Sequence, residues 1–208
     1  MSVAYDVLND DDTYHHGNLR DELIDTAVDV IGREGVAALS LRALARDLGV
    51  SHSAPTRHFR NKADLLSAIM EEAYEDMLTT TVDAGYLAGD NPVHRLRAMA
   101  RACMRWHVDN RALSEVIRNP DVSRTAGRNV KEVLAAFYIH SSRAILGAQG
   151  QTRNPDRPVE FVYLSMIVTV VGAASVLTDP VYVETLPALD ADELIDDMVD
   201  HLFPLKDG

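Results

Sequence analysis

The chain is short of several residue types whose absence narrows the reading. It has one cysteine and one tryptophan in 208 residues, and aromatics make up 6%. A lone thiol, Cys103, rules out an intramolecular disulfide framework and suits a reducing compartment. Bases are outnumbered, with 20 Lys and Arg against 32 Asp and Glu and a net charge of −12. The N-terminus shows the acidic run Asp10-Asp11-Asp12 instead of a basic segment followed by an apolar one, so the expected location is cytoplasmic. G-x-S-x-G, H-E-x-x-H, paired cysteines and G-x-x-x-x-G-K are missing, so no enzyme is expected. His15 and His16 are adjacent but lack further ligands at metal-site spacing, and neither metal nor cofactor is expected. No stretch alternates like a strand, and no internal repeat is present. Phe161 to Leu177 lacks any charge. It is shorter than the ~20 residues a bilayer needs, and Ser165, Thr169, Gly172 and Ser175 interrupt it, so a buried helix is expected, with no membrane partner.

What the chain does have is helical periodicity, and its most informative stretch is Ser40 to Lys62. Leu41, Leu44, Ala45 and Leu48 fall at i, i+3, i+4 and i+7, one face of a helix. Ser40 occupies the N-cap position and Gly49 the left-handed position that ends the helix. Gly49-Val50-Ser51 then turns the chain. From about Ser53 to Phe59 a second helix can bury Phe59 and display Thr56, Arg57 and His58, with Pro55 tolerated only in its first turn. Two helices across a glycine turn make a helix-turn-helix, whose second helix lies in the DNA major groove. Regional charge agrees with that reading. Residues 1–12 carry four acids and no bases, residues 13–66 carry seven of each, and residues 67–208 carry 13 bases and 21 acids. Ser51 to Lys62 contains Arg57, Arg60 and Lys62 and no acid, a basic patch against an acidic body that disfavours approach of the wrong face to DNA.

SLRALARDLGVSHSAPTRHFRNKADLL resembles the DNA-binding segment of the TetR family of bacterial transcriptional regulators. The likeness extends back through YHHGNLRDELIDTAVDVIGREGVAAL, covering roughly Tyr14 to Leu66. The chain departs at Thr56, where many members carry a phosphate-contacting tyrosine. The resemblance implies double-stranded DNA with a palindromic operator as partner, a homodimer, and a divergent body enclosing an unknown small-molecule effector. Most such proteins are repressors. On the DNA side, Ser40, Arg42, Thr56, His58 and Lys62 are candidates for the sugar-phosphate backbone. His52, Ser53, Ala54 and Arg57 are candidates for base edges, with Ser51 in the turn before them. Arg57 is the foremost, because a guanidinium reads guanine O6 and N7 bidentately. Tyr14 to Gly17 reads as a loop that could also form a DNA-contacting arm.

The expected architecture is all-α with about nine helices: an acidic tail over 1–13, a three-helix DNA-binding domain over 14–66, and an effector and dimerisation domain over 67–208. Asn18 to Glu34 reads as the bracing first helix, with Asn18 as its cap. Asn61 caps a long helix running from the DNA-binding unit into the body, a natural lever, and Gly85 belongs to the turn that follows. Arg97, Arg101 and Arg105 repeat every four residues, and Glu71, Glu72, Glu75 and Asp76 of the preceding helix are their expected partners. Asp121 opens a helix expected to reach Leu146. By resemblance the body has a cavity, and Met77, Met104, Trp106, His107, Phe137, Tyr138, His140 and Phe161 are candidates to line it. Cys103 with His107 one turn on reads as core, not as a reactive pair. The last two long helices are the expected dimer interface, through Gly172, Ala173, Ala174, Leu194, Ile195, Met198 and Leu202. The alternative is a helix-turn-helix regulator governed by a protein partner, with no small-molecule pocket.

Overall fold

The computed structural model describes residues 15–124, 126–151, 156–185 and 190–204, and every regular element among them is helical. In chain order these are α1 (His15–Glu34), α2 (Leu41–Asp47), α3 (Ala54–His58), α4 (Lys62–Leu87), α5 (Pro92–Asp109) and α6 (Arg111–Arg118). Then follow α7 (Pro120–Ser123), α8 (Arg128–Ala148), α9 (Val159–Thr178), α10 (Pro180–Thr185) and α11 (Ala191–Leu202). Short 3-10 turns occur at Val36–Ala38 and Gln149–Gln151.

The helix count exceeds nine because of local chemistry. The helix expected from Asp121 is two. The Asn119 side chain accepts the backbone N–H groups of Asp121 and Val122 and starts α7, which ends at Ser123, and the chain restarts at Gly127 as the N-cap of α8. A further short helix, α10, lies between α9 and α11. At the N-terminus, α1 begins at His15, so Asn18 lies within the helix and is not its cap, and Tyr14 and the acidic tail lie outside the described residues. Asn61 does cap α4, accepting the Asp64 N–H at 2.9 Å. That helix continues past Gly85, which is buried within it. A Cβ at Gly85 would sit 2.8 Å from the Met99 side chain, so glycine here permits the close approach of α4 and α5.

Two apolar clusters organise the chain. In the first, Leu23, Ala27, Ile31, Leu44 and Phe59 from α1 to α3 meet Leu65, Ile69 and Met70 of α4, joined by Val116, Val122 and Val130. The second gathers Met77 of α4, Leu96, Ala100 and Met104 of α5, Phe137 of α8, Met166 and Val170 of α9, and Ile195 and Val199 of α11. Tyr74 and Leu113 pack against both. α4 therefore joins the two clusters as one continuous rod of 26 residues, ~39 Å at 1.5 Å per residue.

The arginine row of α5 does not pair with α4. Arg97 pairs with Asp200, Arg101 with Asp196 and Arg105 with Asp192, a three-rung ladder to α11. The α4 acids have other partners: Glu71 accepts from Asn129, Glu72 from Arg20, and Asp76 from the Trp106 indole N–H at 2.6 Å. Sequence proximity favoured α4, but α11 runs antiparallel to α5 with aspartates at matching four-residue intervals.

α9 is not buried all round. Met166, Val170, Ala173, Ala174 and Leu177 face the core, while Phe161, Leu164, Val168 and Val171 are 63%, 59%, 71% and 41% exposed. By length and composition alone it is apolar enough to cross a bilayer.

Candidate nucleic-acid interface

α2 and α3 are set by their buried faces. Leu44 and Ala45 are fully buried, and Phe59 follows α3 into the same cluster. Between the helices Gly49 adopts φ +68°, and its left-handed backbone closes the turn, with Val50 N–H donating to the Ala45 carbonyl at 2.9 Å. Pro55 sits in the first turn of α3, where its missing N–H leaves no helical bond unmade.

The ten residues expected at DNA fall into two groups. Ser40, Arg42, Ser51, His52, Ser53, Thr56 and Arg57 are exposed, whereas Ala54, His58 and Lys62 are half-buried. Ser40 is the N-cap of α2 by backbone geometry, but its hydroxyl makes no capping bond. Thr56 donates its hydroxyl to the Ser53 carbonyl at 2.7 Å, and the Ser51 and Ser53 hydroxyls lie 3.3 Å apart. Two of the three bases in Ser51 to Lys62 are committed within the protein. Arg60 grips Asp64 through two nitrogens at 2.6 and 3.1 Å, and that hydrogen bond holds the Asp64 carboxyl below its ordinary range. The Lys62 ammonium donates to the carbonyls of Val36 and Ala37 at 2.6 and 3.1 Å, tying the Val36–Ala38 turn to the start of α4. That leaves Arg57 on α3 and Arg42 on α2 as guanidiniums free to meet a polyanion, with His52 beside them in sequence.

A residue outside the expected set joins this head to the body. Glu115 of α6 accepts the Val36 N–H at 2.9 Å, so the same turn is held by α4 through its carbonyls and by α6 through its N–H. No periodicity marks Glu115, because the contact spans 79 positions.

Most of the residues expected to line a cavity lie in the core or on the surface. Met77, Met104, Trp106, His107 and Phe137 are packed in the core, each at most 5% exposed. Phe161 lies on the surface, and Tyr138 stands edge-on to Tyr163 at 5.0 Å. Their apolar character suits a core equally well, and here the core has taken them. His140 does border a groove of about 310 Å³ between the ends of α4, α5 and α8. His107 holds a different position: its Nδ1 lies 2.9 Å from the Ser114 hydroxyl, and Arg118 reaches from Ser114 to Ser175 and Thr178 of α9. Burial, with Arg118 nearby, lowers its pKa to about 4. Burial pushes the Cys103 thiol up to about 12, so it is a packed, unreactive group.

Of the expected subunit-contact residues, Ala173, Ala174 and Ile195 are buried in the chain's own core. Leu194, Met198 and Leu202 pack against that core, and only Gly172 is exposed. The ladder explains this: with its acidic edge held to α5, α11 turns its apolar stripe inward.

A helix-turn-helix with exposed guanidiniums, mounted on a larger helical body, is an arrangement suited to binding DNA. Known proteins resemble the chain as follows. Residues 23–69 match the profile of the family described as bacterial regulatory proteins, tetR family. The HTH-type transcriptional regulator Rv1816 of Mycobacterium tuberculosis is 34% identical over 138 residues, which span 59% of this chain and 58% of that protein. A Rhodococcus protein of unknown function superposes with a TM-score of 0.74 at 28% identity, covering 91% of this chain and 96% of that one. AibR, solved with isovaleryl coenzyme A and operator DNA, gives 0.70 at 21% identity, covering 89% and 98%. Residues 23–69 thus carry the tetR-family DNA-binding segment, and the chain as a whole is similar in fold to these proteins while spanning 58% of the curated relative it matches.

Proposed function

We propose that the protein is a cytoplasmic, dimeric repressor that binds a palindromic operator and is released by a small-molecule effector. The observation that carries the reading is Arg57: it is exposed on α3 and unpaired among the described residues, while Arg60 and Lys62 nearby are committed within the protein. A free guanidinium on a recognition helix can read guanine, and Arg42 and Ser40 on α2 can hold the flanking phosphates. Residues 67–208 carry eight more acids than bases, which disfavours approach of DNA to the body. Dimerisation is supported by the exposed apolar rows of α9 and of α8, where Leu134, Ile139 and Leu146 are 38%, 47% and 58% exposed. Two such faces related by a two-fold axis make a four-helix contact. The interface proposed on these rows uses α9 and α8 in place of the expected α9–α11 pair. AibR, solved with an acyl coenzyme A and its operator, is a precedent for ligand control within this fold.

The same apolar rows support a second reading, in which a different protein occupies them and regulates the head without a small molecule. One experiment separates the two: titrate the pure protein on DNA flanking its own gene, then add candidate metabolites. Specific binding lost on adding a metabolite supports the first reading. Specific binding that no metabolite alters, by a protein that sediments as a monomer, supports the second, and failure to prefer that DNA over scrambled sequence contradicts both.

A further inference from the structure

The groove between α4, α5 and α8 has a polarity unlike its surroundings. Residues 67–208 carry an excess of eight acids, yet no acid lines the groove, whereas Arg95, His140 and Arg143 do. Arg95 is held in place, with its Nε donating to the Gly89 carbonyl at 2.6 Å, its guanidinium over the Tyr86 ring and an ion pair to Asp90 at 3.7 Å, so Arg143 is the uncommitted guanidinium. Arg143 is exposed and has neither a hydrogen-bond nor an ion-pair partner among the described residues. Between the two guanidiniums the wall is apolar, from Met99 and Ala144 with Gly85.

A second observation lies one helical turn further in. From Gly85 the step along α4 reaches Thr81, and from Ala144 the step along α8 reaches Ser141. On α5, which runs the opposite way, the step from Met99 reaches Cys103, whose thiol lies beside Thr81. Thr81 and Ser141 are 2% and 1% exposed; among the described residues the Ser141 hydroxyl has no hydrogen-bond partner, and the Thr81 hydroxyl has only the weakly accepting Cys103 sulfur. Leaving buried hydroxyls so poorly matched is costly, and an occupant that can hydrogen-bond would relieve both. Met99 separates this layer from the groove, packed tightly on Gly85. Its unbranched side chain can swing aside at little cost.

We propose that this groove binds a small organic carboxylate with an apolar body. The anion pairs with Arg143 and His140 at the mouth, the body passes Met99 and Ala144, and the far end reaches the Thr81 and Ser141 hydroxyls. This names the effector class for the ligand-released reading, on which it rests.

Calorimetric binding without DNA tests the site directly. The probes are hexanoate, octanoate and decanoate, the matching alcohols, and the ω-hydroxy acids. The best carboxylate should bind saturably and more tightly than its alcohol, and Arg143→Gln should weaken it about tenfold or more while leaving the alcohol unchanged. Its ω-hydroxy form should bind more tightly still, and that gain should vanish in Thr81→Val with Ser141→Ala. Arg143 is exposed and unpaired, so Arg143→Gln leaves the fold intact. No saturable binding, equal affinity for acid and alcohol, or no effect of Arg143→Gln would overturn the proposal, as would an ω-hydroxyl gain that survives the double variant. Operator affinity is read separately with the same carboxylate. Binding as described without loss of DNA keeps the site and removes the ligand-released reading, so the two fail distinguishably.

Discussion

Arg57 and Lys62 lie in one basic stretch and differ in what holds them. Arg57 is free, so Arg57→Ala should leave the fold untouched, cost about 1–3 kcal/mol of operator binding per head, and relax preference at one symmetric base position. Lys62 donates to two carbonyls of the Val36–Ala38 turn, so Lys62→Ala should lower the unfolding midpoint and weaken all DNA sequences together. Thermal unfolding plus binding to specific and scrambled DNA separates the two; equal loss on both DNAs for Arg57→Ala would deny it a base-reading role. The placing of these residues was legible from sequence, because helix caps, the glycine turn and apolar spacing are local. Their partners were not: Lys62 meets carbonyls 25 and 26 positions away, and no local pattern encodes that. His107 makes a prediction in pH. Its folded pKa of about 4 lies below the ordinary 6.5, so between those values the unfolded chain binds the extra proton and stability falls as pH falls. Acidification through that window should cost on the order of 3 kcal/mol, and His107→Gln, which can keep a bond to Ser114, should flatten the slope. Unfolding midpoints across pH that fall equally in both proteins would contradict it.

Among the helices, those with capping residues and a single apolar stripe were the ones sequence placed best. Asn61 starts α4 as its cap chemistry requires. The breaks that periodicity missed are short: α7 ends after one turn, and α10 has no buried residue to show a stripe. The pairing of α11 with α5 was missed for a different reason, since residues 192 to 200 find their partners 87 to 103 positions earlier. That ladder sets which face of α11 turns outward. Its rungs are largely exposed, worth at most about 1 kcal/mol each, so its value lies in register more than in bulk stability. Arg101→Asp should lower the unfolding midpoint, Asp196→Arg likewise, and the exchanged pair should recover most of the loss. Additive losses in the double variant would show that the rung carries no pairing energy.

Across the whole molecule, one rod, α4, joins the cluster holding the recognition helix to the cluster behind the effector groove. Glu115 gives the body a second grip on the head, through the turn that Lys62 also holds. An effector that favours one arrangement of α4 over another by ~2.7 kcal/mol would shift the balance about a hundredfold. Two heads act together only if the chain dimerises. Leu164→Asp with Val168→Asp, both on the exposed face of α9, should yield monomers in sedimentation with the fold unchanged, and unaltered dimers would place the interface elsewhere. The central claim is that two recognition helices fixed on one body read two half-sites together. The direct measurement is affinity for the best palindromic operator and for the same operator with about half a helical turn inserted at its centre, which moves one half-site to the opposite face of the duplex. The account predicts that the insertion reduces affinity to that of a single half-site and that a full-turn insertion restores part of it. Equal affinity for the native and half-turn operators would contradict it.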